Sequence, residues 1–405
     1  MRLARIPARP LVAANLTASI GLGLYGVGSL LYFTRVAGLS VVDVGIGISS
    51  AGVVGLVAGV AAGRVADRFG ARRMAVLSLG AQAVLVLSML LVRSFPVFLV
   101  AICALAVAEQ AGQVSISALV ARVGEPDERV SLSAYLGSAL NLGVTVGVLL
   151  AAGVIALDTP AWYGSVLVTH AVTSILSAAL VLRVAVPPGA APSEALGLRR
   201  VLTDRAYLAV AVLCGLIMMS DVILTVGLPL WLVTYTPAPR WLAPILLGVN
   251  TVLVVILQVR ASRGVSTVTD SGRRLRLATA LSTLACALFA LSAGRGVAAS
   301  IALLGGAVVV LTLGELSSSA GAWQLRYALA HEDAQGAYGG VFSLSNGLRI
   351  TVGPVLVTSL MTGLRGIGWL VMGGVFVGLA LTTYPVLAWA VRTRARQHAT
   401  SGSRS

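Results

Sequence analysis

The stretch Val41–Leu90 reads VVDVGIGISSAGVVGLVAGVAAGRVADRFGARRMAVLSLGAQAVLVLSML. Two apolar runs, near 42 to 62 and 74 to 92, flank a short basic segment, Gly63-Arg64-Val65-Ala66-Asp67-Arg68-Phe69-Gly70-Ala71-Arg72-Arg73. Each run supplies the roughly 20 apolar residues that carry an α-helix across a hydrocarbon layer about 30 Å thick. Arginines 64, 68, 72 and 73 are too costly to leave in that layer, so the pair reads as a helical hairpin whose turn lies in water.

The same pattern extends in both directions. Spans are predicted near 11 to 34, 42 to 62, 74 to 92, 97 to 121, 131 to 157, 163 to 186, 207 to 233, 243 to 259, 275 to 293, 296 to 325, 340 to 362 and 368 to 391. The 405 residues are 58% hydrophobic and only 11% charged, with a mean hydropathy of +0.95, which a water-facing surface cannot accommodate. A dozen spans with short loops fill this length, so the chain is read as an all-α membrane protein of twelve transmembrane helices. Arg2, Arg5 and Arg9 ahead of the apolar run from Leu11 resemble the start of a signal peptide. That run continues to about Val36, too long for a signal core, and is read as a retained first span.

The net charge of +15 would suggest a nucleic-acid partner in a soluble protein. Here the basic residues sit between apolar runs, and the expected partner is the lipid bilayer, with no nucleic acid. All 29 basic residues are arginine, so neither a P-loop lysine nor a Schiff base is available. Cys103, Cys214 and Cys286 fall inside apolar runs, and His170, His331 and His398 have no ligand spacing between them. No metal and no cofactor is expected.

Arginine placement sets the orientation. The clusters at 2 to 9, 64 to 73, 122 to 129, 183 to 205, 260 to 276, 326 and 392 to 404 share one side, against Arg35, Arg93, Arg240, Arg295 and Arg365 on the other. By the positive-inside rule both termini are cytoplasmic and the protein belongs to the inner, cytoplasmic membrane. Pro187, Pro188, Gly189 and Pro192 mark the longest polar connection. The expected organisation is a six-helix bundle over 1–186, a cytoplasmic linker over 187–206, a second bundle over 207–391 and a tail over 392–405. An offset of 206 positions relates Glu109 to Glu315, Glu125 to His331 and Gly147 to Gly353, as expected of parallel halves.

The segment Gly63–Arg73 closely resembles the G-x-x-x-D-R-x-G-R-R signature between helices 2 and 3 of the major facilitator superfamily, departing at Ala71. A weaker echo, Thr269-Asp270-Ser271-Gly272-Arg273-Arg274, is expected between spans 8 and 9, where that family carries a degenerate second copy. Gly314-Glu315, Gln335-Gly336-Ala337-Tyr338 and Val352-Gly353-Pro354 resemble actinobacterial members identified as drug exporters. Span 5 carries Gly137, Gly143, Gly147 and Gly153 but lacks the Gly-Pro pair of the antiporter signature, which leaves the direction of transport open. The resemblance implies two pseudo-symmetric six-helix bundles, alternating access, and a central cavity lined by helices 1, 4, 7 and 10.

Three of the fourteen acidic residues, Glu109, Asp221 and Glu315, lie near the centres of spans 4, 7 and 10. A carboxylate at that depth costs at least about 2.5 kcal/mol and normally faces a watery cavity or a partner. These three are the candidates for proton coupling, with Arg349 in span 11 as a charge partner for Asp221 or Glu315. Asn15, Tyr25, Tyr32, Gln110, Gln113, Trp231 and Trp323 are candidates for the substrate surface, although aromatic residues near helix ends also serve as interface anchors. Gly63, Asp67, Arg68, Gly70, Arg72 and Arg73 form a candidate conformational latch, in which Asp67 can cap a neighbouring helix N-terminus.

The expected function is proton-coupled export of a small hydrophobic or cationic compound, with proton-coupled uptake of a metabolite as the alternative. A membrane-embedded enzyme is disfavoured because no nucleophile or metal constellation is visible. A receptor is disfavoured because no signalling domain is visible, and a monomer is expected because one chain holds both halves.

Overall fold

A computed structural model describes residues 9–123, 128–157, 159–186, 201, 203–331, 334–364 and 367–402. Arg2, Arg5, Glu125, most of the predicted linker (187–200 and 202), Arg365 and Arg404 lie outside the described residues. Among the described residues there is no strand, and twelve helices are long and apolar enough to cross a membrane. They are α1 (Arg9–Val36), α2 (Val41–Phe69), α3 (Ala71–Leu91), α4 (Phe95–Val123), α5 (Arg129–Leu157), α6 (Pro160–Leu182), α7 (Arg205–Tyr235), α8 (Leu242–Ala261), α9 (Val268–Leu291), α10 (Val297–Ala328), α11 (Gln335–Gly363) and α12 (Ile367–Gly402). In the bilayer every backbone N–H must find a partner within its own segment, which is why the apolar runs all fold this way.

Several helices overrun their hydropathy limits. Helix α2 continues through Gly63 to Phe69, so Asp67 sits in its last turn and not in a loop, and Gly70 turns the chain with φ 91°. An L side chain rarely adopts that angle. Helix α9 starts at Val268, where Thr267 and Asp270 cap each other's turn in both directions. The sequence echo at Thr269–Arg274 is therefore the first two turns of α9 and not an interhelical loop. Helix α12 runs on to Gly402 through the segment expected to be a tail. Charged helical turns in the aqueous layer satisfy their own backbone, but a hydropathy reading cannot see them.

The chain forms two compact units, residues 1–201 with 331–343, and residues 202–330 with 344–405. In the first, α1 packs against α5 and α6, α2 against α4, and α3 against α4 and α6. The α1–α5 crossing is built on glycine. A Cβ at Gly23 would run into the Val144 backbone, and one at Gly147 would run into the Ile20 carbonyl and the Leu24 amide. Such close approach lets helices associate in lipid, where apolar burial supplies no drive.

In the second unit, α9 packs against α10 and α12, and α8 against α10. Its core holds Trp231, Phe289, Trp369 and Phe376, all at most 1% exposed. Trp369 stacks on Phe289 with ring centroids 4.7 Å apart and meets Trp231 edge-on at 5.7 Å. Helix α7 is broken: the α-helical turns stop at Ile217, resume at Ser220–Val222, and give way to a π-helical turn at Ile223–Gly227. Pro229, in the first turn of the piece that follows, has no N–H to return to Thr225.

Candidate functional site

Three features of the fold carry the sequence candidates: a pocket inside the first unit, an ion pair inside the second, and the cap made by Asp67.

The pocket lies among α1, α3, α4, α5 and α6. Asn15, Ser19, Gln82, Glu109, Gln113, His170 and Ser177 line it together with the apolar walls Ala18, Leu22, Leu79, Ile116 and Leu140. It holds about 110 Å³ of cavity and opens at its mouth. Glu109 is half-buried and accepts no hydrogen bond from the described residues. His170 is 3% exposed; its Nδ1 lies beside the Gly21 backbone of α1, and its Nε2 has no hydrogen-bond partner among the described residues. Tyr25 stacks on its imidazole with centroids 5.1 Å apart and turns its hydroxyl toward Met89 Sδ at 3.5 Å.

In the second unit Asp221 follows the break in α7, and its Oδ2 accepts from Nη1 of Arg349 on α11. The guanidinium also donates to Asn346 Oδ1 through Nε at 3.2 Å and Nη2 at 2.6 Å. Of the two carboxylates open to Arg349 in the sequence, the structure pairs it with Asp221. Glu315 has a different partner: its Oε2 accepts from Asn250 Nδ2 at 3.0 Å, and the same amide reaches Thr312 Oγ1 at 3.0 Å. A charge-assisted bond to a neutral amide holds a carboxylate in place without neutralising it.

At the end of α2, the Asp67 carboxylate accepts the Gly336 N–H at 2.8 Å and the Ala337 N–H at 2.7 Å, the orphan donors of the first turn of α11. A Cβ at Gly63 would meet the Gly336 carbonyl, and one at Gly336 would meet Asp67, so the two glycines permit the approach. Burial pushes the Asp67 carboxyl above its ordinary value, while the Ala337 and Gly336 amides and the Arg122 charge pull it back. Around it, Arg72 donates to the Val184 carbonyl at 3.2 Å and Arg68 lies over the Phe69 ring at 5.8 Å. Arg73 is exposed.

The remaining candidates divide. Asn15 and Gln113 line the pocket. Gln110 turns away from it toward Gly59 of α2. Tyr32 is 3% exposed and donates to the Leu90 carbonyl at 3.1 Å. Trp231 is fully buried in the core of the second unit and donates Nε1–H to Ser292 Oγ at 3.0 Å. Trp323 is half-buried in α10. Sequence reasoning passed over His170, Gln82, Ser177, Asn250 and Asn346. Asn346 stands three positions before Arg349, a spacing that places both on one helical face and was legible. The others meet their neighbours only across helices.

Solved structures show the same fold. FucP, an Escherichia coli fucose:proton symporter, in its outward conformation aligns with a TM-score of 0.72 at 15% identity, over 95% of this chain and 99% of its own. A bacterial homologue of the iron transporter ferroportin, outward-facing, gives 0.71 at 15% identity over 96% and 100%. The human organic anion transporter MFSD10 (TETRAN) gives 0.65 at 18% identity over 96% and 100%. No curated protein sequence matches the chain. The sequence profile of the Major Facilitator Superfamily matches residues 11–354, so this multi-pass membrane protein is a member of that superfamily, a transporter and not an enzyme.

Proposed function

We propose that the chain is a proton-coupled exporter of a small hydrophobic or cationic compound, working by alternating access, with Glu315, Asp221 and Glu109 as the groups that take up and release protons. The observation that carries this reading is the different engagement of the three carboxylates. Asp221 is bound by a cation, Glu315 by a neutral amide, and Glu109 by no described residue. Charge and proton occupancy are coupled at such sites: a positive partner favours the ionised acid, and its departure favours the protonated one. Export is supported by the resemblance of Gly314-Glu315 and Val352-Gly353-Pro354 to drug exporters. Uptake by symport is the second reading, supported by likeness to a fucose:proton symporter and a proton:xylose symporter, a likeness of fold. The proposed setting is the cytoplasmic membrane, with a monomer whose termini and Asp67 turn face the cytoplasm and whose halves join through the segment around 187–206. Gly63, Asp67, Arg68, Gly70, Arg72 and Arg73 act in this reading as the latch on one conformation.

Flux into inside-out vesicles under an imposed proton gradient tests the reading. Glu315→Gln is expected to abolish gradient-driven transport while exchange persists, because the amide mimics the protonated acid and cannot titrate. Undiminished substrate-induced proton release in Glu315→Gln, Asp221→Asn and Glu109→Gln alike would remove it.

A further inference from the structure

The pocket of the first unit carries a single charged group, Glu109, among neutral polar and aliphatic side chains. Asn15 Nδ2 donates to the Leu136 carbonyl at 2.8 Å and Gln82 Nε2 to the Ala108 carbonyl at 3.2 Å. Ser19 Oγ donates to the Asn15 carbonyl at 2.6 Å and Ser177 Oγ to the Ala14 carbonyl at 2.8 Å. Four polar side chains thus direct donors into the helix backbone, and both hydroxyls have no second proton to give. The hydroxyls keep lone pairs free, each of the two amides keeps its oxygen and one N–H, and Gln113 adds a further amide, while the Glu109 carboxylate is the one charged group among the lining residues. His170, 3% exposed and part of the lining, contributes Nε2, which no described group satisfies. A buried polar group left this way is costly, and a donor entering the pocket recovers that cost. The rest of the wall is aliphatic.

We infer that this pocket, wholly inside the first unit, is a binding site for a protonated amine with an apolar body. Its N–H groups are received by Glu109, His170 and the amide and hydroxyl oxygens, and its hydrocarbon portion lies along the aliphatic wall. The Glu109 carboxylate disfavours anions. The pocket also disfavours quaternary ammonium ions, which bring charge without an N–H. Glu109 can hold a proton or an ammonium group but not both at full strength, so the site deepens the transport reading above and rests on it for its place in a cycle. Binding itself requires only the first unit.

The test is calorimetric titration of the full-length purified protein at neutral pH with three probes that share a benzyl group: benzylammonium, benzyl alcohol and benzyltrimethylammonium. Benzylammonium is expected to bind about tenfold or more tightly than either of the others, the value of one charge-assisted hydrogen bond. Glu109→Gln should lose about tenfold for benzylammonium and little for the alcohol. His170→Leu should weaken it, and His170→Gln, which keeps an acceptor, should restore most of the affinity. Equal affinity for all three probes, undetectable binding of benzylammonium, or indifference to Glu109→Gln would overturn the assignment. Selective amine binding without gradient-driven flux would leave the site standing and remove the transport reading. Proton-coupled flux without amine binding would do the reverse.

Discussion

The two compact units solve one architectural problem with different chemistry, visible position by position under the 206-residue offset. Asn15 on α1 corresponds to Asp221 on α7, Gly143 on α5 to Arg349 on α11, and Glu109 on α4 to Glu315 on α10. In the first unit a neutral amide and a glycine let α5 close onto α1, where a Cβ at Gly143 would meet the Leu16 carbonyl. In the second unit the corresponding positions hold an ion pair, and α7 is broken on either side of it. His170, facing the open pocket, corresponds to Phe376, which is 1% exposed in a packed aromatic core. One unit keeps space and unfilled acceptors, and the other fills the same region with rings and a neutralised charge. Pseudo-symmetry of the backbone therefore does not extend to the work that the side chains do.

The largest effect should come from unbalancing the ion pair. Arg349→Met strands a carboxylate beside a buried break in α7 and is expected to cost about 3 kcal/mol, the low end for a broken buried pair because both side chains keep some solvent contact. Combining it with Asp221→Asn should recover most of that stability. Asn15→Ala, the matched change in the first unit, removes one hydrogen bond to Leu136 and should cost about 1 kcal/mol. Thermal unfolding in detergent measures all three, and equal costs for Arg349→Met and Asn15→Ala would break the comparison.

Gly147 and Gly353 offer a second contrast. A Cβ at Gly147 meets backbone atoms of α1, which can yield only if the whole helix moves, whereas one at Gly353 meets the Val222 side chain, which can rotate. Gly147→Ala is expected to destabilise by about 1–3 kcal/mol, as overpacking does, and Gly353→Ala by less than about 1 kcal/mol. The order of the two melting temperatures decides it.

The smallest predicted change is a slope. Because burial raises the Asp67 carboxyl above 3.8, the stabilising contribution of its neutral form is complete below that ordinary value. It is lost as pH rises through the raised one. Asp67→Asn cannot titrate, so it should flatten this part of the stability curve while costing about 1 kcal/mol at neutral pH, because the amide keeps one acceptor oxygen where the carboxylate uses two. An unchanged pH dependence would show that the carboxylate does not titrate against the α11 amides.

Much of this was legible in the chain itself. Twelve apolar runs and the arginine pattern required a multi-pass helical protein, because hydrocarbon thickness and the cost of charge in lipid act on each segment separately. Glu109, Asp221 and Glu315 stood out for the same local reason. The ends of α2, α9 and α12 did not, since turns that leave the bilayer lose the hydropathy signal while keeping their helical hydrogen bonds. Trp231 read equally well as cavity lining and as packing.

What the sequence determined by itself is the membrane class, the number of spans and the list of rare intramembrane charges, all properties of one segment in its solvent. Only the tertiary structure decided that Arg349 takes Asp221 and leaves Glu315 to Asn250, that Asp67 caps α11, and that His170 opens on a pocket with Glu109. Each of those facts depends on which helix faces which. That in turn is set by close approaches such as Gly23 on Val144 and Gly63 on Gly336, which no periodicity within a single helix encodes.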